Sequence, residues 1–289
     1  MFSGSSVAVV TPMRPDGAID FDAWQRLLEF HLQGGTSAVI VGGTTGESAT
    51  ITDAELKQLV ESARDFARGR MAIIAGAGVS STAATVDRAR WLGDLRIDGL
   101  LVVTPAYVKP TQEGLFRHYA AVAEASKIPV VLYNVPGRTG VDMLPPTVAR
   151  LAALPKIVAI KEAVAGVARV REILSLAPSF TVLSGDDATC REAVLAGAQG
   201  VISVTANVAP AIMSEMIAAA RKGDAARAAE LDARLSALHQ DLFVEGNPIP
   251  VKWALQRMGM IDAGIRLPLT PLSEPFHGRV AAAMARAGL

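Results

Sequence analysis

A lysine closes a short apolar run near the middle of the chain. Residues 157–161 are Ile-Val-Ala-Ile-Lys, so that Lys161 directly follows four apolar residues. Burial disfavours the charged ammonium group, and a neutral amine can attack a carbonyl carbon to form an imine. A lysine that leaves the fold into solvent or pairs with Glu162 fits the same position, and exposed lysines are the commoner case. Lys161 is therefore a candidate nucleophile that its position alone does not establish.

A tyrosine and an arginine follow a second apolar run. Tyr133 ends the run at residues 130–133, and Arg138 follows in the Pro-Gly segment just after it. A phenol can carry protons to and from a carbonyl oxygen, and a guanidinium can bind a carboxylate through two hydrogen bonds. Taken alone, each residue also fits a simpler interpretation, as a tyrosine at a strand end with a satisfied hydroxyl or as a surface ion pair.

A glycine-rich segment with two hydroxyl groups lies at residues 42–48, Gly-Gly-Thr-Thr-Gly-Glu-Ser. Its glycines would let backbone N–H groups approach a small anion, and Thr44 and Thr45 add donors. No lysine follows the glycines, so the segment is not a phosphate-binding loop of the nucleotide-hydrolase type. The alternative interpretation is a plain strand-to-helix turn.

Metal and nucleotide chemistry have little support in the sequence. The four histidines have no spacing typical of a metal site: His31, His118, His239 and His277. The pair Gly76 and Gly78 lacks the third glycine of a dinucleotide-binding turn. An enzyme that forms a carbanion beside a carbonyl group can stabilise it with an imine or, as an enolate, with a divalent cation. Because no cation site is recognisable, the sequence favours an imine as the electron sink and predicts no metal and no cofactor.

These side chains follow elements that alternate regularly along the chain. Apolar, β-branched runs predict strands at residues 7–10, 38–41, 71–75, 99–103, 130–133, 157–161, 181–184 and 201–204. Helical patterns lie between them at residues 21–33, 53–67, 82–92, 113–126, 146–153, 167–176, 191–196 and 210–221. Such alternation builds an open doubly wound sheet or a closed barrel. Because the first turn, residues 11–17, has no glycine fingerprint, we predict a (β/α)8 TIM barrel, whose candidate residues meet at the carboxyl ends of the strands.

The chain beyond residue 221 follows a different pattern. Leu231, Leu235, Leu238 and Leu242 form one helical stripe, and residues 251–258 have a second helical pattern after Asn-Pro-Ile-Pro. We therefore predict a catalytic barrel at residues 1–221 and a C-terminal helical appendage at residues 222–289.

Composition narrows the class of protein. Lysine plus arginine and aspartate plus glutamate balance at 28 each, which disfavours a nucleic-acid partner. Cys190 is the only cysteine, so an intramolecular disulfide is impossible and a reducing compartment is favoured. No apolar stretch reaches the roughly 18 residues that a membrane span needs, and no signal peptide is recognisable. We expect a cytoplasmic protein without a membrane partner.

Several well-separated blocks resemble one family. They are residues 43–47 (Gly-Thr-Thr-Gly-Glu), 133–140 (Tyr-Asn-Val-Pro-Gly-Arg-Thr-Gly), 160–163 (Ile-Lys-Glu-Ala), 184–187 (Ser-Gly-Asp-Asp), 200–207, 243–245 and 252–254. In this order they resemble the dihydrodipicolinate synthase family, and the likeness extends along the whole chain. The resemblance implies a TIM barrel with C-terminal helices, a homotetramer, no cofactor, and condensation of pyruvate with L-aspartate 4-semialdehyde.

The resemblance also implies a catalytic set. Lys161 would form the imine with pyruvate, and Tyr133 would donate and accept protons. Thr44 and Tyr107 would complete a proton relay, with Tyr107 reaching in from a neighbouring subunit.

The resemblance implies substrate-binding residues as well. Thr45 and the backbone around Ile202 would hold pyruvate, and Arg138 would hold the carboxylate of the incoming aldehyde.

One part of the resemblance fails in an informative way. Family members that lysine inhibits bind it at a subunit interface, through a cluster with histidines, an asparagine, a glutamate and a tyrosine. Ser48 and Ala49 match that site. Five positions do not match it: Asp53, Leu56, Ser80, Ala84 and Ala106. Without a glutamate at position 84 the ligand's ammonium loses an opposite charge, an interaction of about 1.5–3 kcal/mol, so we predict weak or absent inhibition by lysine.

Two other functions stay open at this point. Sister enzymes such as N-acetylneuraminate lyase and the sugar-acid aldolases share the barrel, the lysine and the pyruvate loop, but hold a different second substrate. A catalytically silent homologue that binds a metabolite is the other alternative. Arg138 favours a short carboxylated aldehyde over a polyol, and the complete candidate set disfavours a silent protein.

Overall fold

The computed structural model describes residues 2–289. Eight parallel strands pair in sequence order, and the last strand pairs with the first, so the sheet closes into a barrel. The strands are β1 (Gly4–Ala8), β2 (Ala38–Val41), β3 (Ala72–Gly76), β4 (Gly99–Val103), β5 (Val130–Asn134), β6 (Ile157–Glu162), β7 (Thr181–Ser184) and β8 (Gly200–Ser203). The predicted TIM barrel is confirmed.

Helices follow the strands in the predicted alternation. The helices between strands are α1 (Phe21–Gln33), α2 (Asp53–Ala67), α3 (Thr82–Gly93), α4 (Gln112–Ala125), α5 (Pro136–Thr139), α6 (Pro145–Ala152), α7 (Val167–Leu176) and α8 (Cys190–Leu195). After β8 come a 3₁₀ turn (Thr205–Asn207), α9 (Pro210–Arg221), α10 (Ala225–Asp241), α11 (Ile249–Arg257) and α12 (Glu274–Ala287). No helix among residues 2–289 is long and apolar enough to cross a membrane.

The first strand is the one whose predicted position was wrong. The sequence predicted residues 7–10, whereas β1 is Gly4–Ala8. Ser5 and Ser6 belong to the strand although both are polar, and both are buried. A polar pair at the start of a buried strand hides its beginning from a search for apolar runs.

Apolar side chains fill the inside of the barrel. One buried cluster takes residues from all eight strands, among them Ala8, Ile40, Ile74, Leu101 and Leu183. A larger cluster packs the outer faces of the strands against the helices. This two-sided burial explains why the strands are nearly continuous apolar runs rather than alternating ones.

The C-terminal helices pack on the barrel helices. The predicted stripe of Leu231, Leu235, Leu238 and Leu242 is fully buried, and α10 contacts both α9 and α12. A buried ion pair between Lys252 on α11 and Glu47 after β2 also joins this region to the barrel.

Candidate active site

Lys161 and Tyr133 face each other on neighbouring strands. Lys161 lies one residue before the end of β6, directly opposite Tyr133 on β5. Only 4% of Lys161 is exposed, and its Nζ lies 4.5 Å from the centroid of the Tyr133 ring. The predicted nucleophile is therefore not a lysine that leaves the fold into solvent. Its amine and the phenol can act on one small molecule.

A glycine directly after the next strand, β7, leaves room for the lysine side chain. A Cβ atom at Gly185 would lie 2.9 Å from Lys161 Cε and 2.9 Å from Ala163 Cβ. These distances are too short for carbon atoms, so a larger residue at position 185 would displace the lysine. Gly185 is thus a site residue that candidate chemistry alone could not indicate.

The two side chains open into a cavity of about 160 Å³ at the carboxyl ends of the strands. The polar residues that line it are Thr44, Thr45, Tyr133, Arg138, Lys161, Asp186 and Asn247. The cavity is smaller than the several hundred Å³ of sites for drug-sized ligands, so it suits small substrates. Its place in the fold is the one that barrel enzymes use.

Asn247 connects two of the predicted binding residues. Its side-chain amide donates to Thr45 Oγ1 at 2.9 Å, and its backbone carbonyl accepts from Arg138 Nη2 at 3.3 Å. Arg138 lies on α5, one helical turn where the sequence predicted only a loop. The sequence predicts no role for Asn247, because its partners are far away along the chain.

Thr44 lies between this cavity and a second one. Thr44 and Tyr133 line both, and Ser48 and Arg88 line the second cavity, which is about 30 Å³. The side chains of Thr44 and Tyr133 therefore border both cavities.

Two predicted site residues lie outside the lining of the cavity that contains Lys161. Tyr107 is 92% exposed and has a left-handed φ of 73°, and its backbone N–H donates to Thr139 O at 3.1 Å. Ile202 lies on β8 and packs in the apolar cluster below, together with Leu183 and Tyr133. The predicted roles of both residues remain predictions.

A buried carboxyl group lies directly behind the lysine. Burial raises the pKa of Glu162 from its ordinary 4.5 to about 7. Between about pH 4.5 and pH 7, Glu162 keeps its proton in the folded protein and loses it in the unfolded chain. The contribution of this group to the free energy of unfolding is therefore fully present below pH 4.5 and is lost as pH rises through about 7. The loss amounts to about 3 kcal/mol by proton linkage.

Removing this carboxyl group should change the pH dependence of stability. We expect the free energy of unfolding of Glu162→Gln, relative to that of the natural protein, to increase between pH 4.5 and pH 8. Urea unfolding at several pH values measures this difference. A difference that stays constant over the range would contradict the raised pKa.

Several of the positions that the sequence analysis connected with lysine inhibition make contacts within the chain. Asp53 forms an ion pair with Arg88 at 2.6 Å, and Ser80 Oγ donates to Ala106 O at 2.9 Å. Leu56 is buried against the glycine-rich segment. One oxygen of Asp53 is thus paired with a guanidinium, and Leu56 offers no polar group.

The fold and the site are those of a (β/α)8 barrel with a buried lysine in its cavity. The model of the dihydrodipicolinate synthetase family matches residues 1–287, and this chain belongs to that family. The 4-hydroxy-tetrahydrodipicolinate synthase of Methylococcus capsulatus is 53% identical over 290 residues, with 100% of both chains covered.

Solved structures of dihydrodipicolinate synthases are also similar to this chain. The dihydrodipicolinate synthase of Acinetobacter baumannii, solved with pyruvate, has a TM-score of 0.98 and 47% identity and covers 100% of this chain and 99% of its own. The Thermotoga maritima enzyme has a TM-score of 0.97 and 42% identity, with the same coverage.

Proposed function

We propose that this chain is a 4-hydroxy-tetrahydrodipicolinate synthase, which condenses pyruvate with L-aspartate 4-semialdehyde on the route to diaminopimelate and lysine. The observation that carries this proposal is the buried Lys161 amine against Tyr133, inside a small cavity lined by Thr44, Thr45 and Arg138. Full-length similarity to enzymes of that name supports the choice of substrates.

The reaction begins with attack of Lys161 Nζ on the keto carbon of pyruvate. The carbonyl oxygen takes up protons and leaves as water, for which Tyr133 is the nearby proton carrier, and a protonated imine remains. The imine draws electrons from the neighbouring methyl group, which loses a proton to give an enamine. The protonated imine is the electron sink, so the proposed reaction uses no cofactor.

The enamine then attacks the aldehyde carbon of the second substrate. The new C–C bond forms, and the aldehyde oxygen takes a proton to become a hydroxyl group. The amine of the second substrate attacks the imine carbon, closes the ring and releases Lys161. Thr44 and Tyr133 line a common cavity, and their hydroxyl groups are proposed to transfer the protons that these steps exchange.

Arg138 is proposed to bind the carboxylate of the semialdehyde. Arg138→Leu should lower kcat/KM for the semialdehyde by about 10- to 100-fold, the equivalent of one charge-assisted hydrogen bond. Reduction of the pyruvate imine by borohydride should continue at its normal rate, because the proposed pyruvate contacts do not include this side chain. Arg117→Leu is the matched control, since Arg117 is an exposed arginine on α4. Equal decreases in the rate of pyruvate trapping and in kcat/KM for the semialdehyde would contradict the role proposed for Arg138.

A sister lyase that cleaves N-acetylneuraminate is the second candidate. It would use the same lysine, so the second substrate separates the two functions. Parallel assays of semialdehyde consumption with pyruvate and of N-acetylneuraminate cleavage test the proposal. Turnover of the semialdehyde alone supports it, and turnover of N-acetylneuraminate alone overturns it.

We also propose that the working enzyme is a homotetramer in the cytoplasm. The exposed Tyr107 ring, held on a left-handed backbone, is suited to enter the site of a second copy. In that site it would complete the relay with Thr44. The buried free thiol of Cys190 suits a reducing compartment.

Lysine should inhibit this enzyme weakly or not at all. Asp53, which pairs with Arg88, and the apolar Leu56 stand at two positions that the resemblance connects with lysine binding in inhibited family members. Initial rates measured over a range of lysine concentrations check this prediction. Half-inhibition at a lysine concentration well below about 1 mM, which corresponds to about 4 kcal/mol of binding free energy, would contradict it.

A further inference from the structure

Two residue pairs sit side by side at the reacting ends of β5 and β6. Tyr133 lies opposite Lys161, and Asn134 lies opposite Glu162 in the next step of the register. Successive residues of a strand point to opposite faces. Because Tyr133 and Lys161 line the cavity, Asn134 and Glu162 point outward to the helices.

Asn134 and Glu162 join the two strands on that outer face. The Asn134 side-chain amide donates to both Glu162 oxygens at 3.1 Å, and the backbone N–H of Val164 donates to Glu162 Oε1 at 2.9 Å. Asn134 Oδ1 accepts from the backbone N–H of Met143 at 2.9 Å. Both side chains are buried, so water does not compete for these bonds.

An ion pair holds this group from the helix side. Arg169 on α7 donates to both oxygens of Asp142, at 2.9 and 2.8 Å, and the Asn134 amide also donates to Asp142 Oδ1 at 2.8 Å. Arg169 Nη1 lies 3.9 Å from Glu162 Oε2. Two carboxyl groups thus share one guanidinium, and burial raises the pKa of Glu162 to about 7.

Holding two strands together through a buried carboxyl group costs desolvation free energy. Apolar residues of similar volume often stabilise a protein core as well as a buried charged group does, or better. A buried group with a strongly shifted pKa, placed one residue from the proposed nucleophile, points to a functional role.

We propose that Glu162 is a positioning residue for the reaction, which fixes the ends of β5 and β6 through Asn134 and thereby holds Lys161 Nζ against Tyr133. This inference rests on the proposed imine chemistry of Lys161. The amine and the phenol must both reach one pyruvate carbonyl, and a displacement of about 1 Å can cost on the order of 100-fold in rate.

The test is the rate at which borohydride traps pyruvate on the enzyme. Glu162→Leu fills the same space without hydrogen-bond acceptors, and we expect it to slow trapping by about 10-fold or more and to lower kcat more than it raises KM for pyruvate. Glu162→Gln keeps an acceptor oxygen for Val164 and Asn134, so it should restore trapping to within about 3-fold of the natural rate. Glu172→Leu, an exposed change on α7, is the control.

The outcomes distinguish a failure of the positioning role of Glu162 from a failure of the proposed function. Slow trapping in Glu162→Leu, with a normal melting profile and rescue by Glu162→Gln, supports the inference. Normal trapping by folded Glu162→Leu overturns the inference and leaves the proposed function intact. No pyruvate adduct on the natural protein overturns the proposed function and the inference with it. If Glu162→Leu does not fold, a normal trapping rate in Asn134→Ala overturns the inference and slow trapping supports it.

Discussion

Lys161→Ala is expected to lower kcat by about four orders of magnitude or more, the range measured when a covalent nucleophile is removed. The loss follows from the chemistry, since no other group in the cavity's lining carries an amine that could form the imine. Lys161→Arg should be equally inactive, because a guanidinium keeps the positive charge and is not a nucleophile at neutral pH. Steady-state assays with both substrates measure the effect.

A control on the same part of the chain makes this result specific. Lys156 directly precedes β6, at the opposite end of the strand from Lys161, and its Nζ donates to the Lys127 carbonyl at the surface. Lys156→Ala should keep normal activity. Retention of even a few per cent of activity by Lys161→Ala would contradict a covalent role.

The second large effect concerns the ion pair that holds the glycine-rich segment, residues 42–48. Glu47 lies in the segment that carries Thr44 and Thr45, and its carboxylate contacts Lys252 on α11. Both partners are buried, and the backbone N–H of Arg266 donates to the other Glu47 oxygen at 3.2 Å. Burial lowers the pKa of Lys252, although Glu47 opposes that shift.

Breaking this pair should destabilise the protein and disturb the site. Lys252→Met leaves a buried carboxylate without its partner and should cost about 3–5 kcal/mol in the free energy of unfolding. The double variant Glu47→Gln, Lys252→Met should recover part of that loss, because no unpaired charge remains. Lys222→Met, on the surface, is the matched control.

Lys252→Met also tests whether the glycine-rich segment depends on the ion pair between Glu47 and Lys252. Folded Lys252→Met should bind pyruvate more weakly, with a raised KM, since Thr44 and Thr45 lose the support of Glu47. Denaturant unfolding and steady-state kinetics give the two readouts. A loss below about 1 kcal/mol, the value of an exposed ion pair, would contradict the role assigned to this buried pair.

Local pattern was enough to predict most of the barrel and to bring the candidates Lys161 and Tyr133 together. Seven of the eight strands lie within one residue of their predicted bounds, because a strand that is buried on both faces is a run of apolar residues. Lys161 and Tyr133 were visible as polar residues at the ends of such runs. In a barrel these ends meet, so the sequence could place the two side chains together.

The supporting residues could not be predicted in this way. The amide of Asn247 contacts Thr45, and Lys252 contacts Glu47, across separations of 202 and 205 residues. No local periodicity reports such contacts. The buried group formed by Asn134 and Glu162 also depends on register between two strands, which alternation of elements does not fix.

The most direct test of the central claim is to map the pyruvate adduct on the natural protein. Incubation with pyruvate, reduction by borohydride and peptide mass analysis identify the modified lysine. We predict one adduct, on the peptide that contains Lys161, and none without pyruvate. No adduct, or an adduct on another lysine such as Lys252, would contradict the account.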